Sequence, residues 1–327
     1  MSDLPTAVLG RTGAVVTKLA YGAMELRGRT ALGGRDVAPE EAKTILNAVL
    51  DSGITLIDTS PDYGLSEAYI GEYIAHRRSE YFLTTKCGCP VNPPPGEHAP
   101  HTRDKVRAAV EPHVYTRENV RAAVEQSLRR MKTSHLDLVQ FHMSPSRSEL
   151  EQDDSVAELI ALRQEGKVRF IGMSGILPNL ADHIAMGVFD TFQIPYSALD
   201  REHEAAIGDA AATGAGIVIR GGVARGIPDP ASENYQHAHE QYRHLLTKRR
   251  DAWDVARLDE VADGIEKMEF MLRFTLSHPD MTTMIVGTLN PAHLASNVAA
   301  ARKGPLPSDQ YAEAKRRLDL AAAGGLS

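Results

Sequence analysis

The sequence is poor in cysteine and in aromatics: two cysteines, 6% aromatic residues and a single tryptophan in 327 residues. Cys87 and Cys89 are separated by one residue in what reads as a strand exit. That spacing is poor for a disulfide, and two thiols alone do not complete a metal site, so both are expected to be reduced. No apolar run reaches the length of a bilayer-spanning helix. The opening Met-Ser-Asp-Leu-Pro lacks the basic and apolar regions of a signal peptide, so a cytoplasmic protein without a membrane partner is expected. Charge of one sign is not concentrated either: 36 Lys and Arg are interspersed among 43 Asp and Glu, a net −7, with no basic stripe for nucleic acid. Catalytic signatures are missing as well. No strand is followed by Gly-x-Gly-x-x-Gly, which disfavours a Rossmann dehydrogenase, Gly64-Leu65-Ser66 does not make a nucleophile elbow, and no His-Glu-x-x-His occurs.

What is present is an alternation of short β-prone runs with helical patterns. Residues 6 to 21 hold two β-prone runs around Gly10-Arg-Thr-Gly13, a hairpin pattern, and Leu19–Gly22 reads as the first inner strand. Pro39-Glu-Glu opens a helix with Ile45, Leu46 and Val49 as its apolar stripe. Strands are then expected at 81–86, 136–142, 168–174, 190–196, 216–220 and 282–287, with helices at 66–76, 116–132, 155–166, 179–187, 201–213, 265–277 and 291–302. Thr116 is the expected N-cap of its helix, and Ser155-Val-Ala-Glu158 has the capping-box pattern. About eight strand-helix units, with no linker between them, predict one domain over residues 1–327: a (β/α)8 TIM barrel with an N-terminal β-hairpin.

Two segments break the alternation, and both fall at the C-terminal rim of such a barrel. Residues 87–115 are rich in proline and histidine (His98, His101, His113), and residues 223–264 carry Trp253 and an expected helix near 235–250. Both are read as long rim loops that shape a substrate pocket, with Trp253 among the substrate contacts. The histidine spacing matches no common ligand motif; surface histidines and no metal are the expectation.

The stretch Thr55-Leu-Ile-Asp58-Thr-Ser-Pro-Asp-Tyr63 puts a carboxylate and a phenol at the exit of a strand, where parallel α/β folds hold their chemistry. Tyr81-Phe-Leu-Thr-Thr-Lys86 and Leu136-Asp-Leu-Val-Gln-Phe-His142 end two further strands in a lysine and a histidine. Taken singly, each has a plain structural reading: turn former, rim aromatic, solvated strand end, histidine near the core. Together, and in this order, they resemble the catalytic tetrad of the aldo-keto reductase family. The resemblance extends from Leu9-Gly-Arg-Thr-Gly13 to Asn290-Pro-Ala-His-Leu-Ala-Ser-Asn297.

The resemblance implies an NADPH-dependent reductase of aldehydes or ketones, with NADH also usable and a small carbonyl compound as substrate. Tyr63 would be the proton donor, Lys86 would lower its pKa, Asp58 would pair with Lys86, and His142 would hydrogen-bond the carbonyl oxygen. It further places Ser174 and Gln193 on the nicotinamide carboxamide and Tyr196 against its ring. The pyrophosphate falls to Arg220, Gly221 and Gly222, and the remaining cofactor positions are Gly22, Met24, Asp58, Gly287, Thr288, His293 and Asn297. Gly175 stands where the family usually has asparagine. Two other uses of the barrel stay open: a regulatory module like channel β-subunits, for which the N-terminus is short, and a lyase or epimerase forming a Schiff base on Lys86.

Overall fold

The structure is a computed structural model, and it describes residues 3–29, 35–91, 113–223 and 240–324. Strands β1 (Thr6–Val8) and β2 (Val15–Thr17) form the antiparallel hairpin. Eight parallel strands follow in chain order and close on themselves: β3 (Leu19–Gly22), β4 (Leu56–Asp58), β5 (Phe82–Cys87), β6 (Leu136–Phe141), β7 (Val168–Ser174), β8 (Thr191–Pro195), β9 (Gly216–Arg220) and β10 (Thr283–Val286). The chain is thus a (β/α)8 barrel, as the sequence predicts.

Alternate residues of each strand face inward. Their lower layer is apolar: Ala20, Leu56, Phe82, Leu138, Val218 and Ile285 pack into one cluster with Leu9 and Val16 of the hairpin, which plugs the bottom of the barrel. Higher along the strands the inward set turns polar, through Asp58, Thr84, Lys86, Gln140, Ser174 and Gln193, all buried. The register aligns them: Gly22 faces Asp58, Asp58 faces Thr84, Lys86 faces Gln140 and Ser174 faces Gln193. The outward set packs beneath the helices in a second, larger cluster.

Helix α1 (Pro39–Asp51) has proline in its first turn with Glu40 and Glu41, and buries Ile45, Leu46 and Val49. Helix α2 spans Ser66–Tyr73, shorter than expected, and a 3-10 turn at Ala75–Glu80 completes the segment. Helix α3 (Arg117–Arg130) is capped by Thr116, whose hydroxyl accepts from the Asn119 N–H at 3.2 Å. The predicted capping box at Ser155 is a correction. It forms one helix earlier, where Ser146 and Glu149 cap α4 (Arg147–Gln152), a helix not anticipated. Ser155 instead begins α5 (Ser155–Gln164) behind Asp154, and donates to the Leu150 carbonyl. Glu158 is taken by Arg121 at 2.6 Å, which docks α5 on α3.

Helices α6 (Asn179–Met186) and α7 (Glu204–Ala212) follow the barrel, and the 223–264 segment carries α8 (Glu240–Val255) and α9 (Leu258–Ala262). Then come α10 (Lys267–Leu276), α11 (Pro291–Arg302) and the unanticipated α12 (Ser308–Ala322). The expectation for Trp253 is corrected here. The indole is fully buried among the described residues, edge-on to Phe270 with ring centroids 5.6 Å apart and with the Lys267 ammonium over its face, so it packs α8 onto α10.

Candidate active site

The polar layer at the barrel mouth is organised around one buried ion pair. Lys86 Nζ donates to Asp58 Oδ2 at 2.8 Å and to the Thr59 carbonyl at 2.7 Å, and both side chains are almost wholly buried. The other carboxylate oxygen, Oδ1, accepts from Thr84 Oγ1 at 2.7 Å, Gln193 Nε2 at 2.9 Å and Gln140 Nε2 at 3.3 Å. A buried ion pair is stable only when its remaining lone pairs are satisfied in this way. Thr59, Thr84 and Gln140 were not anticipated; the two inward positions, Thr84 and Gln140, carry the only signal, polar residues at a parity that is apolar lower down. Burial alone would push the Lys86 ammonium down, but Asp58 and Tyr63 outweigh it and hold it above its ordinary value.

Tyr63 sits in the turn after β4, with the Lys86 ammonium 4.9 Å from its ring centroid. Gly64 makes that turn possible: its φ is +43°, and a Cβ there would lie 2.2 Å from the Arg27 carbonyl oxygen. The expected lowering of the phenol is corrected. Burial is the largest influence and raises Tyr63, with Asp58 adding to it against the downward pulls of Lys86 and, more weakly, Arg220. The group therefore rests as the protonated phenol.

His142 stands one residue beyond β6, edge-on to Tyr63 with ring centroids 6.3 Å apart. Its Nδ1 is not free to face the barrel mouth. Asp62 Oδ2 lies at 3.1 Å, His113 Nε2 at 3.3 Å and Cys89 Sγ at 3.5 Å. His113 is thus a correction: its side chain is 7% exposed and reaches Asp62 at 3.2 Å, so it is no surface histidine. His98 and His101 lie outside the described residues. Burial would raise Asp62, but hydrogen bonds from His113 and His142 outweigh it and hold the carboxylate well below its usual range. Burial lowers His142 against the opposing pull of Asp62, and burial reinforced by Asp62 pushes the Cys89 thiol well up. Cys87 has the other parity and is buried in the outer core.

Of the cofactor positions, Ser174 and Gln193 lie side by side in the interior, the serine hydroxyl 3.3 Å from Gln193 Oε1. Gly175 has a packing reason to lack a side chain, since a Cβ would come within 3.2 Å of His183 Nδ1 and Leu180. Arg220 ends β9 at the mouth. Gly221, at φ +70°, has open space where a side chain would go, whereas Gly222 is small because Met284 fills that volume. Gly22 closes β3, Met24 follows in a 3-10 turn, and Gly287 approaches the Gly22 carbonyl so closely that a Cβ would sit 2.7 Å from it. Thr288 receives the Tyr21 hydroxyl on its carbonyl at 2.9 Å. His293 is exposed and Asn297 half-buried on α11. Asn290 caps that helix by accepting from Ala292 N–H at 2.9 Å. Pro291 has no N–H and Leu294 N–H bonds Asn290 O, so the first turn offers the N–H of His293.

Tyr196 is a correction. It is fully buried on the outer side of the barrel, stacked on Phe274, with its hydroxyl 3.1 Å from that of Tyr311 and 3.3 Å from Glu204. It offers no face to a ligand at the mouth.

A closed eight-stranded barrel thus carries an Asp-Lys pair, a phenol and a histidine together at the C-terminal strand ends, the face where such barrels hold their active sites. The chain matches the Aldo/keto reductase family across residues 18–318 and belongs to it. It is 27% identical over 281 residues to an uncharacterized oxidoreductase, YqkF, of Bacillus subtilis, covering 83% of this chain and 85% of that one. It is 26% identical over 313 residues to the L-galactose dehydrogenase of Arabidopsis thaliana, covering 92% and 89%. Among solved structures, the holo form of an aldo-keto reductase from Bacillus halodurans is 25% identical, with a TM-score of 0.77 and 96% of each chain covered. The protein is accordingly an oxidoreductase. Among the described residues no helix is long and apolar enough to cross a membrane.

Proposed function

We propose that the protein reduces an aldehyde or ketone to an alcohol with a nicotinamide cofactor, NADPH in preference to NADH. The observation that carries this reading is the buried Lys86 ammonium, fixed by Asp58 at 2.8 Å and lying 4.9 Å from the Tyr63 ring centroid. The cofactor, when bound, supplies the hydride. The inner ends of β7 and β8 suit the carboxamide through Ser174 and Gln193, and the open space at Gly221 beside Arg220 suits a pyrophosphate; Tyr196 contributes nothing. The capped start of α11 with His293, together with Thr288 and Asn297, suits a 2′-phosphate.

A carbonyl oxygen that gains negative charge needs a proton and a positive field. Tyr63, held as the neutral phenol, gives its proton to that oxygen. Lys86, held charged, stabilises the phenolate left behind. Asp58 keeps Lys86 charged and in place, and His142 has only Nε2 left for the substrate oxygen because Nδ1 is engaged. The Schiff-base reading of Lys86 loses support for the same reason, since an ammonium tied to a carboxylate and a carbonyl has no lone pair to attack with.

The test is loss of reduced-cofactor absorbance across a panel of carbonyl compounds, in the parent and in Tyr63→Phe. The variant should bind cofactor nearly as the parent does and lose at least about 10²–10⁴-fold in kcat. Turnover within a few-fold of the parent removes Tyr63 as donor, and no turnover of any carbonyl by the parent overturns the reductase reading.

A further inference from the structure

We infer that Asp62, Cys89, His113 and His142 form a tetrahedral Zn²⁺ site at the rim of the barrel mouth. One ligand atom from each, a carboxylate oxygen, a thiol sulfur and two ring nitrogens, gathers within 4.8 Å of the others. The contacts of His142 Nδ1 with Asp62, His113 and Cys89 measure 3.1, 3.3 and 3.5 Å, and His113 Nε2 meets Asp62 Oδ2 at 3.2 Å. Bonds of about 2.0–2.3 Å to a central zinc give tetrahedral edges of about 3.3–3.8 Å; the four short contacts lie at or just under that range, and ligation draws in the widest pair, now up to 4.8 Å apart. Without a metal, the ring N–H groups of His113 and His142 both turn to Asp62 Oδ2, and the Cys89 thiol has Ser60 Oγ beside it. A ring nitrogen has one lone pair or one proton, yet His142 Nδ1 has three polar neighbours.

The donor set selects the ion. One thiolate, two imidazoles and one carboxylate in a tetrahedron suit zinc, not the all-oxygen shells of calcium or magnesium. Two anionic and two neutral ligands balance the 2+ charge, which suits a largely buried position. Binding breaks the Cys89 S–H bond, forms Zn–S, and releases the proton to solvent. Four protein ligands fill the shell, which marks a structural site rather than one that activates water.

The surroundings are built to hold these ligands. Asn119 Nδ2 donates to the carbonyls of Cys89, at 3.1 Å, and Val114, at 2.7 Å, while the Val114 N–H meets the Gly88 carbonyl at 2.7 Å. Ser60 Oγ lies 3.6 Å from the Cys89 sulfur, and Tyr115 donates to the His142 carbonyl at 2.6 Å. Zinc would therefore tie Cys89, after β5, and His113, ahead of α3, to Asp62 and His142 beyond the ends of β4 and β6. Coordination through Nδ1 also places the ring proton of His142 on Nε2, the nitrogen left for a substrate oxygen. That last consequence rests on the reductase reading, whereas the site does not.

The experiment is a metal titration of the full-length protein stripped with a chelator, using Zn²⁺ against a chromophoric competitor and Co²⁺ as the spectroscopic probe. One ion per chain should bind, with the intense visible bands of tetrahedral cobalt and a thiolate-to-cobalt charge-transfer band. Cys89→Ser should abolish the charge-transfer band and Cys87→Ser should keep it. His113→Ala should weaken Zn²⁺ by more than the roughly 10–100-fold that outer partners contribute. A parent protein that retains no Zn²⁺ and gives only the pale spectrum of octahedral cobalt overturns the site, whatever the variants do. Carbonyl reduction by the stripped protein leaves the reductase reading standing without the metal, and zinc binding without reduction does the reverse.

Discussion

Substituting Asp58 by asparagine removes the charge that lets Lys86 remain buried. The side-chain exposures of Lys86 and Asp58 are 1% and 4%, so neither can turn to water. The asparagine also fails geometrically: Oδ1 accepts from Thr84, Gln193 and Gln140 while Oδ2 accepts from Lys86, and an amide has only one oxygen for these four donors. Breaking a buried pair from one side costs about 3–5 kcal/mol. Lys86→Met costs less, since the Asp58 carboxylate keeps its three other donors, each charge-assisted hydrogen bond worth about 1.5–3 kcal/mol. The double variant Asp58→Asn/Lys86→Met should recover most of the loss, because replacing both members of a buried pair by neutral groups is often neutral. Catalysis should stay absent in all three. The assay is urea unfolding followed by fluorescence of Trp253, the single tryptophan and a fully buried one. A double variant no more stable than Asp58→Asn would refute the claim that the cost is an uncompensated ammonium.

Trp253→Ala should destabilise the protein by about 3–5 kcal/mol through the cavity left against Phe270, with the ranking of carbonyl substrates unchanged; a reordered ranking at parental stability would put the indole in the pocket after all. Gly175→Asn, which restores the residue usual in the family, should cost about 1–3 kcal/mol because His183 and Leu180 occupy the space, and cofactor titration should show no gain in affinity. The NADPH preference should be modest, with His293→Ala reducing the ratio of kcat/KM values for the two cofactors; an unchanged ratio removes His293 from cofactor recognition. Removing zinc with a chelator should lower the thermal midpoint of the parent and leave that of a Cys89→Ser/His113→Ala variant unmoved.

What could be read from the chain and what could not divides along the geometry of a strand. Barrel strands alternate inward and outward, so once Asp58 is placed inward, Leu56 below it and the match to Thr84, Lys86 and Gln140 follow by counting in twos. The same count contains the answer for Tyr196. Thr191 and Gln193 face inward on β8, so position 196 has the outer parity, and the tyrosine goes beneath Phe274 and not over a nicotinamide. The ring-platform role that the resemblance implies for Tyr196 runs against this parity. Trp253 was open to a similar argument at helical spacing, since Ala256, three residues on, is buried with it. The Asp62, Cys89, His113 and His142 cluster was not legible by any local rule. Its members stand just beyond the ends of β4, β5 and β6 and just ahead of the α3 cap, where positive-φ turns at Gly64, Gly88 and Met143 interrupt the alternation. Metal-ligand motifs are recognisable when two ligands come from one turn or one helix face, because the spacing is then fixed by local geometry. Here four separate segments each supply one ligand, so the spacing is set by the closure of the barrel, and the signature exists only in three dimensions.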